Sequence, residues 1–159
     1  MRAAQIRRWP TVIAPQEPAE KTEKVLHEDV LDYISRPESV SLARNRAARL
    51  VGEWGEVQLT ETTRLLVSEL ATNAVQHGAV RGRFLRVRIT LTESVLRIAV
   101  TDARGERLPC EGVPASDDTH GRGLLLVRTL SARWGVGVLA VGKTVWCELD
   151  VTEGGAIPS

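Results

Sequence analysis

Two short runs, FLRVRITL and VLRIAVTD, do most to limit what this chain can fold into. In the first, Leu85, Val87, Ile89 and Leu91 alternate with Arg86, Arg88 and Thr90. In the second, Leu96, Ile98 and Val100 alternate with Arg97, Ala99 and Thr101. A period of two puts each apolar set on one face of a strand. Only Thr92, Glu93 and Ser94 separate the runs, so they should pair as an antiparallel hairpin. A hairpin with one apolar face needs a covering layer before it is stable.

The cover is written upstream. After Pro37-Glu38-Ser39, the run SLARNRAARLVGEWG repeats Leu42, Ala43, Arg46, Ala47, Leu50 and Val51 at helical spacing, with Gly52 and Gly55 as a stop. A second helix is expected from Thr60, as N-cap, to His77, with Gly78 ending it. Downstream, a helix should run from Gly123 to about Ala132, and WGVGVLAV and KTVWCELDV should pair as strands around Gly142-Lys143. Between hairpin and helix, ARGERLPCEGVPASDDTH is too long for a tight turn and reads as a functional or mobile loop. Helices interleaved with strand pairs imply an α/β two-layer sandwich, with helices on one face of a mixed, mostly antiparallel sheet. The expected layout is an N-terminal tail over residues 1–35, partly ordered, with a short helix around Val25 to Tyr33. The folded domain covers 36–152 and a C-terminal tail covers 153–159.

A chain of 159 residues can bury a full core without staples. A net charge of +1 argues against direct nucleic-acid binding, which needs a basic excess. Cys110 and Cys147 lack metal-ligand spacing and read as reduced thiols. No apolar run is long enough to span a membrane, and MRAAQIRRWPTVIAPQEP lacks the apolar stretch of a secretory signal, so a cytoplasmic location is expected.

Three polar features stand out. In SELATNAVQHG, Glu69, Asn73 and His77 recur every four residues, a polar stripe beside Leu66, Leu70 and Ala74. The stripe is either a solvated helix edge or the lining of a site. Asp102 falls on the same strand face as Leu96, Ile98 and Val100. Either the strand has ended there and the carboxylate turns to solvent, or it is a fixed acceptor at the end of a core strand, fit for an exocyclic amine. In HGRGLLLV, Gly121 and Gly123 precede an apolar helix, either as a flexible entry or as an anion site at a helix start. Neither a Rossmann fingerprint nor a Walker A motif is present.

Taken in order, Glu69-x-x-x-Asn73 on a helix, Asp102-x-x-Gly105 after a strand, Gly121-x-Gly123-Leu124 opening a helix and Gly142-Lys143-Thr144 opening a strand resemble the GHKL ATPases. Within that superfamily the chain is most similar to the bacterial anti-sigma factor serine/threonine kinases, and LLVSELATNAVQHG is the most specific part of the likeness. The resemblance implies the Bergerat ATP-binding fold, with ATP and Mg²⁺ as cofactors. It implies Asn73 as the Mg²⁺ ligand and Glu69 as the general base. It implies Asp102 as the acceptor of the adenine amino group, with Gly105 leaving room for the ring. His120, Gly121, Arg122, Gly123 and Leu124 would hold phosphates, Thr144 would support adenine, and His77 belongs to the motif without a derived role. The family's second box is commonly Asp-x-Gly-x-Gly, whereas this chain has Asp102-Ala-Arg-Gly105-Glu106. Alternation also pairs Thr144 with Trp146 and Glu148 rather than with Val145, Cys147 and Leu149. Either that apolar set faces a dimer partner or the strand starts later.

The resemblance implies a sigma factor and a small anti-sigma factor antagonist as protein partners, and a homodimer. The rival reading is a non-catalytic ATP-dependent binding module. A histidine kinase would need a phosphoacceptor, and His27 is the only histidine outside the nucleotide motifs.

Overall fold

The computed structural model describes residues 23–78, 84–102, 118–139 and 142–151. Five strands form one sheet: β1 (His27–Ile34), β2 (Phe84–Leu91), β3 (Val95–Asp102), β4 (Arg133–Leu139) and β5 (Gly142–Asp150). The helices are α1 (Pro37–Glu53), α2 (Thr60–Gly78) and α3 (Asp118–Leu130). The strand order is β1-β2-β3-β5-β4, and every pairing is antiparallel. The architecture is the expected α/β sandwich. The expected mixture of strand directions is absent among the described residues. The connection from β3 through α3 returns the chain to the outer edge as β4, and β5 then turns back between β4 and β3.

The hairpin behaves as its alternation requires. Leu85, Val87, Ile89, Leu91, Leu96, Ile98 and Val100 are all buried against the helices. The helical layer centres on α2, whose Leu66, Val67 and Ala71 are fully buried and whose Leu70 is nearly so. Each Leu or Val buried this way contributes roughly 1.5–3 kcal/mol relative to exposure. From α1, Val40, Ala43, Ala47 and Val51 complete the same core, while Leu42 stays exposed. Small residues at positions 43 and 47 let α1 lie close against α2.

Three local expectations are corrected. The segment around Val25 to Tyr33 is not a helix: His27–Ile34 is β1, paired along its length with β2 from His27↔Leu91 to Ile34↔Phe84. The sheet therefore begins upstream of residue 36. Second, Thr60 is not an N-cap. A short 3₁₀ turn, Val57–Leu59, precedes α2, and Thr60 is already helical, its hydroxyl donating to the Val57 carbonyl at 2.9 Å. Third, α3 starts at Asp118, earlier than Gly123.

The start of α1 is set by Pro37 in the first turn, where a missing N–H costs nothing, and by Arg36 in extended conformation. The Ser39 hydroxyl donates to the Ile34 carbonyl at 2.6 Å and fixes the β1–α1 corner. At the other end of β1, the Glu23 carboxylate accepts from Thr92 Oγ1 at 2.6 Å and from Ser94 Oγ, pinning the incoming chain to the β2–β3 turn. Among the described residues no helix is long and apolar enough to cross a membrane.

Candidate functional site

Two rows of α2, Leu66-Leu70-Ala74 and Val67-Ala71-Val75, bury themselves in the core. The row beside them is Glu69-Asn73-His77. Asn73 is only 8% exposed and Glu69 is half-buried one turn earlier, so at these two positions the row is not a solvated edge. A rise of 1.5 Å per residue sets the two side chains about 6 Å apart along the helix axis. His77 lies in the last turn of the helix.

Asp102 is the last residue of β3, remains in the strand and is 3% exposed. It shares the helix-side face with Leu96, Ile98 and Val100, as alternation requires. Its cross-strand neighbours are Leu85, near the start of β2, and Lys143, near the start of β5. The chain leaves α2 at Gly78 and enters β2 at Phe84. The C-terminal end of α2 and the Asp102 end of the sheet therefore lie at the same end of the sandwich. Meanwhile α3 is joined through Ser131 and Ala132 to the start of β4, at the opposite sheet end. Asn73, Asp102 and Lys143 each engage a neighbour.

Thr144 is corrected. Val145, Cys147 and Leu149 face the core, at 6%, 0% and 5% exposure, so the apolar set covers no dimer partner. Thr144 points to the opposite face, where its hydroxyl meets that of Thr101 at 2.6 Å. Thr144 and Asp102 therefore lie on opposite faces of the sheet. The residue that takes the helix-side position at the start of β5 is Lys143. The sequence assigns Lys143 no role, although the alternation of Val145, Cys147 and Leu149 already sets it on the Asp102 side.

The glycine motif is also displaced. His120, Gly121, Arg122 and Gly123 lie within the first two turns of α3 rather than ahead of it. Leu124 packs against the apolar core, so its side chain serves the fold. Gly105 and Glu106 lie outside the described residues.

The outer face of the sheet carries a different electrostatic pattern. Glu148 accepts from Arg97 Nη1 at 2.8 Å and from Arg133 Nε at 2.7 Å, while Arg133 Nη2 reaches Asp150 at 2.6 Å. Arg97 also lies over the Trp146 ring, 4.3 Å from its centroid. Hydrogen bonds donated to Glu148 and Asp150 raise the pKa of Arg133. This network braces β3, β4 and β5 from the face opposite the helices. Burial pushes the Cys147 thiol up to about 12, so it stays protonated and is no nucleophile.

Among the described residues no trio of His, Cys, Asp or Glu gathers as a metal site. A cation here would rest on one or two protein ligands and on phosphate oxygens, the way Mg²⁺ is commonly held. A buried carboxamide on α2, an acidic side chain one turn away and a buried carboxylate at the strand end make a donor set that fits Mg-nucleotide. The carboxylate can take an amine of the base, and the amide oxygen is a hard ligand.

No curated protein matches the chain. Among solved structures, the histidine kinase domain from the Erythrobacter litoralis EL346 blue-light activated histidine kinase is similar, at 23% identity and a TM-score of 0.48. That match covers 70% of this chain and 61% of the other. The model of the histidine kinase-like ATPase domain matches residues 34–147, a span that holds Glu69, Asn73, Asp102 and all of β5 up to Cys147. With most of its length inside that match, the chain belongs to the histidine kinase-like ATPase domain family.

Proposed function

We propose that the protein is an ATP-dependent serine/threonine protein kinase that also acts as an anti-sigma factor, with a sigma factor and a small antagonist protein as partners. One observation carries the reading: Glu69 and Asn73 sit one turn apart on a buried helix, at the sheet end that Asp102 closes. A base and a metal ligand serving one γ-phosphate need that separation and that shared face.

The roles divide accordingly. Asp102 accepts a hydrogen bond from the adenine amino group. Asn73 would hold Mg²⁺ through its amide oxygen, and the ion would supply charge neutralisation at the phosphates. Glu69 accepts the proton of a substrate Ser or Thr hydroxyl as its oxygen attacks the γ-phosphorus, and ADP departs with the bridging oxygen. The backbone of α3 around Gly121 and Gly123 offers close approach to the phosphates. The protein adds positioning and electrostatics, which is most of what phosphoryl transfer requires.

The test is transfer of labelled γ-phosphate from Mg-ATP to candidate antagonist proteins of the same cell. Glu69→Gln should keep ATP binding and lower transfer by at least about 100-fold, the usual worth of a general base. Asp102→Asn should weaken ATP binding itself, because the carboxylate becomes a mixed donor and acceptor. Equal loss of binding in both variants would refute the division of roles. Saturable ATP binding without any transfer would instead identify a nucleotide-gated protein-binding module.

A further inference from the structure

The site contains a cation that the reading above leaves without work. Lys143 is one of three lysines in a chain with 21 basic residues, and the other two, Lys21 and Lys24, precede β1. It stands directly opposite Asp102 in the β3–β5 register. Directly opposed residues of an antiparallel pair share a face, with Cβ atoms about 4.5–5.5 Å apart. Two independent patterns agree on that face: Asp102 follows Leu96, Ile98 and Val100, and Lys143 precedes Val145, Cys147 and Leu149, all of them buried on the helix side. Gly142, just before it, has a φ of 101°, a conformation that turns the chain into β5 with Lys143 at its mouth.

A buried carboxylate alone is a pure acceptor. It takes the 6-amino group of adenine and repels the 6-oxo group of a hypoxanthine or guanine ring. A lysine beside it adds a donor with three N–H bonds. An acceptor and a donor side by side match the 6-oxopurine edge: the ring N1–H gives its proton to Asp102 and the 6-oxo oxygen accepts from Lys143. Adenine presents the reverse order, its amino group donating to Asp102 while N1 accepts from Lys143, so the flexible lysine arm has to place its ammonium on the other side of the fixed carboxylate.

We propose that Lys143 is a specificity-determining residue of the nucleotide site, and that it admits 6-oxopurine nucleotides as well as ATP. This rests on the nucleotide-binding reading above. A cation opposite Asp102 would also lower the cost of a carboxylate at that depth.

The probe is inosine triphosphate, which differs from ATP only at position 6 and its adjacent N1. Equilibrium binding of both nucleotides to the full chain, by calorimetry or a displaced fluorescent analogue, gives the ratio of their dissociation constants. The expected ratio is within about tenfold of unity in the parent protein, and it should rise by at least about tenfold in Lys143→Thr, the worth of one charge-assisted hydrogen bond. Lys143→Arg keeps a cationic donor and should hold the ratio low. Thermal melting without nucleotide checks that each variant is folded. A ratio that is already high in the parent, or that does not move in Lys143→Thr, overturns the proposal and leaves Lys143 as a structural counter-ion. Absence of binding by either nucleotide overturns it together with the reading it rests on, whereas tight ATP binding with rejection of inosine triphosphate overturns it alone.

Discussion

At the scale of single residues, the candidate site is built from side chains that the core would otherwise reject. Asn73 and Asp102 are buried polar groups in a layer made of Leu, Val and Ala; period set both beside apolar rows but left open whether they turned to solvent. Thr63 is the contrasting case. It is fully buried near the start of α2, and its hydroxyl finds no hydrogen-bond partner among the described residues. A desolvated hydroxyl without a partner costs about 1–3 kcal/mol, and valine has nearly the same shape without that group. Thr63→Val should therefore raise the urea midpoint, with a gain of about 1 kcal/mol. A loss of stability would mean that the hydroxyl has a function at that position which packing does not reveal.

At the scale of elements, β1 shows where sequence reading loses its grip. Val30, Leu31, Tyr33 and Ile34 recur at one, three and four residues, which is a helical pattern. They are nonetheless strand residues that divide between two faces: Leu31 and Tyr33 turn to the helices, while Val30 and Ile34 stay exposed at 44% and 48%. An edge strand needs no clean alternation when neither of its faces is fully buried, so pairing overrides periodicity. What holds it is long-range and invisible in a local window. Arg46 of α1 grips Asp29 with two of its nitrogens, Nε to Oδ2 at 3.0 Å and Nη2 to Oδ1 at 2.7 Å. His27 stacks on Trp54 with ring centroids 5.0 Å apart. Outside, Arg86 pairs with Asp32 and Arg88 with Glu28 across the strands. The start of α3 was misread for a related reason, since motif order locates a residue in the chain but not within an element, whereas the alternation around Thr144 had already set it on the face opposite Val145, Cys147 and Leu149. If Arg46 and Trp54 are the clamps, Arg46→Ala and Trp54→Ala should each speed amide exchange along β1 by about tenfold or more, a local cost of about 1.4 kcal/mol. Amides of β3 and β5 should keep their protection. Uniform loss across the sheet would show instead that β1 and the core open as one unit.

At the scale of the whole molecule, charge and burial fix the pH range over which the sandwich holds together, and the two limits have different physics. On the acid side the Arg86 hydrogen bond holds the Asp32 carboxyl below its ordinary 3.8. That contribution is complete above 3.8 and disappears as pH falls through the lower value of the folded state. Asp32 is 42% exposed, so the contribution is small and salt should weaken it further. On the alkaline side the burial of Cys147 lifts its thiol from an ordinary 9.0 to about 12, and burial raises Tyr33 above 10.0 as well. The unfolded chain releases these protons first, so stability is complete below 9.0 and declines as pH climbs toward 12. Because Cys147 sits at the centre of β5 beneath the helices, added salt should not blunt that decline. Urea midpoints measured across pH should be flat through neutrality and fall steeply on the alkaline side, and Cys147→Ala should begin lower everywhere, by about 1–2 kcal/mol for the small cavity, but fall more gently. Parallel alkaline slopes in the two proteins would shift the cause from Cys147 to Tyr33, and Tyr33→Phe would then be the variant that flattens the curve.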